Sequence, residues 1–528
     1  MNRSNGSSSD RSITTGGADI GHARTSTTTS TTSTTSSTTS STTSSTTSSS
    51  SDFLQLDPRE APRGGLGDWL ARRIREAIAD GRLATGARLP ATRTLAAELG
   101  VSRGVVTEAY RRLTEDGHVA GRGRGGTVIL AVPSPPRSPS RHGHSPKAPP
   151  SRPGLFTTPP DLGVFDALRA VPTRVDLTPG LPDLAAFPRA AWLRAERAVL
   201  AGLTPSDFGY GDPRGTPALR TAVARWLSRN RGIVADPDDV MIVNGTAQAL
   251  RLLVDVLRAE GITDVAVEEP GSLGVRQHLR PLRTPPVPVD AHGVRVDALR
   301  ATGAPAVLLT PAHQFPTGVV LGGERRRELT DWAREGGLVI EDDYDAEHRY
   351  DRPAVPALRA QLPEHVCYAG SVSKLLAPAL RLGWLLAPPA YRAALVDAKR
   401  LIDLGNAALP QLVLAHLMES GDLERHLRLI RRHHRRRRDA MIEAIRTHLP
   451  GAVVHGAAAG LHLMITLGEQ TYPGSDADLA TAALTHGVKV HPLSWHTQHP
   501  HPPGLVLGYA AGSPTQITEG VRVIGGLV

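Results

Sequence analysis

From about Val171 to the carboxyl end, short apolar runs alternate with amphipathic stretches of helical length, and this alternation restricts the fold more than any other feature of the chain. Val240-Met241-Ile242-Val243, Val265-Ala266-Val267, Ala306-Val307-Leu308-Leu309 and Leu338-Val339-Ile340 are apolar at consecutive positions. Neighbouring side chains on a strand point to opposite faces, so such a strand must be covered on both. That is the condition of a mainly parallel sheet held between helices. We expect one large α/β domain over residues 173–528. No internal repeat is visible, and 528 residues leave room for a further domain ahead of it.

The residues ahead of it read as a compact helical unit over 63–130. Leu66, Leu70, Ile74 and Ile78 share one face of a helix that Gly81 ends. A second helix follows Pro90, with Leu95, Ala96 and Leu99 inward. Gly100-Val101-Ser102 turns the chain, and Ser102 can cap a third helix that turns Val105, Val106, Ala109, Tyr110 and Leu113 inward. Val119-Ala120 and Val128-Ile129 flank a glycine- and arginine-rich tip that suits a hairpin. Arg103, Thr107 and Arg111 face away from the apolar side of the third helix. An arginine at a helix amino end can enter a major groove and bond a guanine edge, while Arg122 and Arg124 on the hairpin suit backbone or minor groove. The charge supports this: residues 63–130 hold twelve arginines against seven acidic residues, and residues 131–160 add four basic residues and no acidic one. A small solvated domain whose arginines only confer solubility is the plain alternative.

Thr25 to Ser51 contains only Ser and Thr and cannot bury apolar area, so residues 1–62 read as a disordered tail. The stretch 131–172, rich in Pro, Ser and Arg, reads as a linker. The single cysteine, Cys367, excludes an internal disulfide and reads as an ordinary buried thiol. No apolar run reaches the length needed to span a bilayer, and the amino terminus lacks a signal pattern, so the expected location is cytoplasmic with no membrane partner.

Three segments of the large domain carry chemistry. Ser371-Val372-Ser373-Lys374, with Arg381 seven residues on, suits a carbonyl cofactor bearing a phosphate. The lysine amine forms a Schiff base while Ser371, Ser373 and Arg381 hold the dianion. Gly245-Thr246-Ala247 opens a helix after a strand, where free amides can cradle a phosphate; on its own it could be only a turn and cap. Glu341-Asp342-Asp343 ends a buried strand with three successive carboxylates, which need a compensating cation. A pyridinium nitrogen supplies one. A divalent metal could do the same, but no adjacent histidine has convincing ligand spacing, and we expect no metal.

Two resemblances narrow these readings. Gly81 to Ala96, Leu99 to Val106 and Gly117-His118-Val119 resemble the GntR-type winged helix-turn-helix. This implies a small α+β reader of a double-stranded DNA operator, contacted by Arg93 and Arg103; Gly104 departs from the usual Thr or Ser. Residues 173–528 resemble the fold-type I, aspartate aminotransferase-like pyridoxal 5'-phosphate proteins, with Lys374 as the Schiff-base lysine. The resemblance implies that Asp342 meets the pyridine nitrogen, with Asp343 close enough to compete, and that Tyr344 meets the ring hydroxyl. It also implies that Tyr210, in Tyr210-Gly211-Asp212-Pro213-Arg214-Gly215, reaches the phosphate, often across a homodimer. Thr310-Pro311-Ala312-His313-Gln314-Phe315-Pro316-Thr317-Gly318 is similar to the MocR regulators, which join the two domains in this order.

Two departures bear on activity. Ser272 follows Glu269-Pro270-Gly271 where an aromatic residue usually stacks on the cofactor. Leu505 to Ala510 is apolar where catalytic members carry a carboxylate-gripping arginine. The expected function is therefore a homodimeric transcription regulator in which pyridoxal phosphate, alone or with an amino acid or amine as effector, controls operator binding. An active aminotransferase with a DNA-binding appendage is the alternative, and a regulator that has lost the cofactor a third. Two further signals are read as structural. Arg431 to Arg438 is taken as a solvated helix face, and His491, His496, His499 and His501, interleaved with prolines, as a loop.

Overall fold

A computed structural model describes residues 54, 56–62, 64–121, 126–130, 154–156, 159–350 and 355–528. The Ser/Thr tract, Arg122, Arg124 and most of the expected linker lie outside the described residues. The chain divides into two compact units, Met1–Pro146 and Lys147–Val528.

In the first unit, helices α1 (Leu66–Ala79), α2 (Thr92–Glu98) and α3 (Arg103–Glu115) are followed by an antiparallel pair, β1 (Val119–Gly121) and β2 (Thr127–Ile129). The predicted apolar stripes converge: Leu70, Ile74, Ile78, Leu95, Leu99, Val106, Ala109 and Leu113 form one core. Val105 is only partly covered. Gly81 stands at φ +82°, the left-handed turn that ends the first helical segment. Ser102 occupies the position before α3, but its side chain makes no capping hydrogen bond, contrary to expectation.

The second unit is built on a sheet that has eight strands among the described residues. They are β3 (Met241–Val243), β4 (Val265–Glu269), β5 (Pro286–Asp290), β6 (Gly293–Val294), β7 (Ala306–Leu309), β8 (Leu338–Asp343), β9 (Val366–Ser371) and β10 (Gly383–Leu386). Their order is β3-β10-β9-β8-β7-β4-β5-β6. The β9-β8-β7-β4-β5 ladder is parallel, and β10 runs antiparallel between β9 and β3. The two-sided reading holds residue by residue. Val265, Val267, Leu308, Ile340 and Cys367 enter one core, and Ala266, Val307, Leu309, Val339 and Val366 the other. Cys367 is fully buried, which pushes its thiol up to about 12.

A second layer follows. The strands Val453–His455, His462–Thr466, Gly504–Gly508 and His491–Pro492 form an antiparallel sheet packed against the 27-residue helix Asp422–His448 and the helix Pro514–Gly525. The end of the expected linker belongs to this layer. Phe156 is buried, the helix Val164–Ala170 packs Val164 and Leu168 into the same core, and Val175–Asp176 pairs in parallel with Val488–Lys489. Prolines and serines around these few apolar residues dilute the pattern that would have marked them.

Candidate functional site

The carboxyl ends of parallel strands and the start of one helix meet at a cavity of about 690 Å³ in the second unit. This is where an open α/β sheet exposes backbone groups with no helix lying over them. Thr246, Ala247, Asp342, Tyr344, Lys374 and Arg381, all expected site residues, line it.

The end of the cavity expected to take a phosphate is set by close backbone packing. Helix α4 (Thr246–Ala259) begins after Gly245 at φ +74°. A Cβ on Gly245 would stand 3.2 Å from both terminal nitrogens of the Arg381 guanidinium. Arg381 donates to the Asn244 carbonyl, so its charge is fixed beside the free amides of α4. Ser371 and Ser373 lie just behind: the Ser373 amide donates to Ser371 Oγ at 3.3 Å, and neither residue is part of the cavity wall.

Lys374 Nζ donates to the Gly180 carbonyl at 2.5 Å. Burial lowers its pKa below the usual lysine value, against the opposing pull of Asp345 and Asp342. A larger fraction of neutral amine is the form a carbonyl requires. Asp342 is 8% exposed, and its Oδ1 is buried without a hydrogen-bond partner. Burial first, then the Asp343 carboxylate, push it up to about 7, with Lys374 opposing. An orphaned carboxylate oxygen in a cavity with a lysine fits a protonated ring nitrogen.

Strand alternation resolves the three carboxylates of β8. Glu341 accepts the amides of Leu358 and Arg359 at 2.9 and 3.1 Å. Asp343, on the opposite face from Asp342, accepts Arg231 Nε at 2.5 Å and the Tyr368 hydroxyl at 2.7 Å. Asp343 thus has its own cation, and only Asp342 faces the cavity. Arg231 went unpredicted because it lies 112 residues upstream of its partner, with no local signal.

The Tyr344 hydroxyl donates to the His313 carbonyl at 3.0 Å, and His313 Nδ1 donates to Asp345 at 2.9 Å. His313, Asp345 and His462 offer ligand atoms within 4.8 Å of one another, an approach the sequence did not reveal. His313 Nδ1 is already engaged, and His462 Nε2 donates to the Pro316 carbonyl at 3.2 Å. We read the group as support for Tyr344. Tyr210 is not brought to the cavity by its own chain; it is 95% exposed.

Two structural readings of the sequence are corrected. His491 and His496 are not loop residues: both are buried and line the cavity, because the proline-rich turn folds back onto the strand Gly504–Gly508. The basic run is only half solvated. Within the helix Asp422–His448, Arg431 donates to the Glu347 carbonyl at 2.6 Å, Arg437 pairs with Asp183 at 2.8 Å, and His434 is fully buried, leaving Arg432, Arg435 and Arg436 outward.

In the first unit, Arg93, Ser102, Arg103 and Thr107 are exposed at the start of α2 and on one side of α3. Arg103 Nε donates to Thr92 Oγ1 at 3.4 Å, and Thr107 Oγ1 donates to the Arg103 carbonyl at 2.9 Å. Arg111 is tied to Glu108 and Glu115 on its own helix, so its charge is already offset.

Residues 66–129 match the family of bacterial regulatory proteins, gntR family, and residues 174–524 match aminotransferase class I and II. The chain is 31% identical to the uncharacterized HTH-type transcriptional regulator YhdI of Bacillus subtilis, over 85% of this chain and 92% of that one. It is also 31% identical to the probable rhizopine catabolism regulatory protein MocR of Rhizobium meliloti, over 86% and 92%. The HTH-type pyridoxine biosynthesis transcriptional regulator PdxR of Corynebacterium glutamicum matches at 31% over 75% and 82%. Among solved structures, the multiple substrate aminotransferase of Thermococcus profundus superposes with a TM-score of 0.63 at 28% identity, covering 69% of this chain and 94% of that one.

Proposed function

This chain belongs to the aminotransferase class I and II family and carries a gntR-family reader ahead of that domain, and from this we propose a DNA-binding transcription regulator whose cavity holds pyridoxal phosphate on Lys374. The observation that carries the cofactor reading is the orphaned Asp342 oxygen in one cavity with a lysine of lowered pKa. Bound there, the cofactor supplies a carbonyl that condenses reversibly with amines and a ring that draws electrons from them.

The chain's own residues do the rest. The α4 amides and Arg381 hold the phosphate. Asp342 would keep a proton on the ring nitrogen, and Tyr344, fixed through His313 and Asp345, would meet the ring. Burial shifts Lys374 toward the neutral amine, against the pull of Asp345 and Asp342. A second copy of the chain would bring Tyr210 to the site. Phe208 (69% exposed), Tyr210 and Leu401 (88%) offer apolar surface there, and a Cβ at Gly405 would lie 3.4 Å from Asp212 and Pro213, so these segments are neighbours.

Transamination is the second reading, favoured by the aminotransferase neighbours. Against it stands the strand Gly504–Gly508, where Leu505, Val506 and Leu507 stand in place of the expected carboxylate-gripping arginine. Borohydride reduction of the cofactor-loaded protein followed by peptide mapping tests the tether. The chain's lysines are Lys147, Lys374, Lys399 and Lys489. The label should fall on Lys374; a label on any other, or none, overturns the assignment. Incubation with amino acid and keto acid tests turnover.

A further inference from the structure

Lys489 is 5% exposed and lines the same cavity as Lys374. Its Nζ donates to the Arg169 carbonyl at 3.2 Å, and its nearest carboxylate, Asp176 Oδ2, is 3.8 Å away, beyond hydrogen-bond reach. The other Asp176 oxygen is taken by the Thr178 amide and hydroxyl at 2.9 and 2.6 Å. An ammonium has three protons to place, and a buried one with a single hydrogen bond is under-satisfied.

The neighbouring imidazoles present a second donor. The Leu273 amide donates to His496 Nδ1 at 3.3 Å, so the proton of a neutral His496 sits on Nε2. That Nε2 lies 3.3 Å from His491 Nδ1 and must donate to it, which places the His491 proton on its own Nε2. Both rings are kept neutral by burial, His491 pushed down to about 3. Among the described residues, no hydrogen bond uses the His491 Nε2 donor. His491 pairs with Val506 on the strand that lacks a carboxylate-gripping arginine. The helix Val164–Ala170 adds Phe165, Leu168 and Arg169 to the cavity wall.

We propose that Lys489 and His491, with the helix Val164–Ala170 as the wall, form a subsite for the carboxylate of an amino-acid effector. The proposal rests on the cofactor reading above for the position of the effector's amine. Two N–H donors two residues apart in the chain and lining one cavity, one of them a lysine, can serve a carboxylate's two oxygens. The phosphate has its own cradle at α4 and Arg381, so this second anion subsite serves another group. Because Lys489 also bonds the Arg169 carbonyl, its occupant bears on the last turn of the segment that leads back toward the DNA-binding unit.

The test uses the full chain loaded with pyridoxal phosphate. The probes are straight-chain ω-amino acids from glycine to 6-aminohexanoate and the n-alkylamine of each length. Two readouts run in parallel: the cofactor absorbance band, and hydrogen exchange of the amides in 164–170. At least one amino acid should act at a concentration ten or more times lower than its matched alkylamine, and should protect 164–170. Lys489→Met should erase both advantages while leaving alkylamine titrations unchanged, and Lys489→Arg should restore part of them. His491→Phe keeps the ring volume and removes the donor; it should weaken only the amino acids, and it carries the test if Lys489→Met does not fold. Equal loss for amines and amino acids, or no protection of 164–170, overturns the subsite. If wild type shows no cofactor band but the carboxylate-dependent protection persists and needs Lys489, the subsite stands and the cofactor reading falls.

Discussion

Replacing Asp342 by Asn separates the carboxylate's electrostatics from its shape, because the amide is isosteric and does not titrate. In the fold, Asp342 is held up at about 7, whereas an unfolded aspartate sits near roughly 3.9. Between those pH values the folded protein keeps a proton that the unfolded chain has released. Stability is therefore full below the unfolded pKa and is lost as pH rises through the folded one. The gap of about three pH units, at about 1.4 kcal/mol each, sets a ceiling of about 4 kcal/mol at pH 8. Glu268 and Glu341, each pushed up to about 7, and Glu347, to about 8, add slopes of their own, and subtracting wild type from variant removes most of them. Urea unfolding of cofactor-free protein, followed through buried Trp226 and Trp384, is the assay. The stability of Asp342→Asn relative to wild type should rise by about 2–3 kcal/mol from pH 5 to pH 8, since about one of the three units is already spent by pH 5. The same variant should bind pyridoxal phosphate at least tenfold more weakly. Parallel pH curves for the two proteins would refute a buried, unpaired Asp342.

Arg103→Ala should cost about 1–3 kcal/mol at the cognate operator and relax base preference, read by competitive gel shift against altered sites; unchanged discrimination with an intact fold would contradict the proposed docking. Arg231→Met leaves Asp343 buried without its cation and should destabilise the second unit by about 3–5 kcal/mol in urea. Gly245→Ala adds a Cβ 3.2 Å from the Arg381 guanidinium at φ +74°; it should weaken cofactor binding in an absorbance titration while leaving operator affinity of the cofactor-free protein unchanged.

What the sequence made legible was whatever is periodic or contiguous. The two-sided runs at Val265, Ala306 and Leu338 became the parallel core of the sheet, and the stripes at Leu70 and Val106 became the core of the reader. Lys374, Arg381 and Gly245 could be read because each site element occupies a short continuous stretch. The assignment between Asp342 and Asp343 could not, since it depends on Arg231 arriving from another helix. His491 and His496 were hidden for a different reason: prolines that mark a loop locally also mark a chain reversal, and only the strand beyond it decides that the histidines turn inward. Phe165 and Arg169 were missed because a seven-residue helix inside a proline-rich stretch carries too few apolar positions to set a period.

In the function proposed above, the cofactor carried on Lys374 changes how the chain holds its operator. A ligand shifts such an equilibrium only by binding the two states unequally. The direct measurement is a nuclease footprint titration of wild type and Lys374→Ala on operator DNA, each with and without pyridoxal phosphate. Both proteins should bind DNA without cofactor, and adding it should change the affinity or the protected boundaries for wild type alone. An equal response in Lys374→Ala, or none in wild type, would contradict the proposed function.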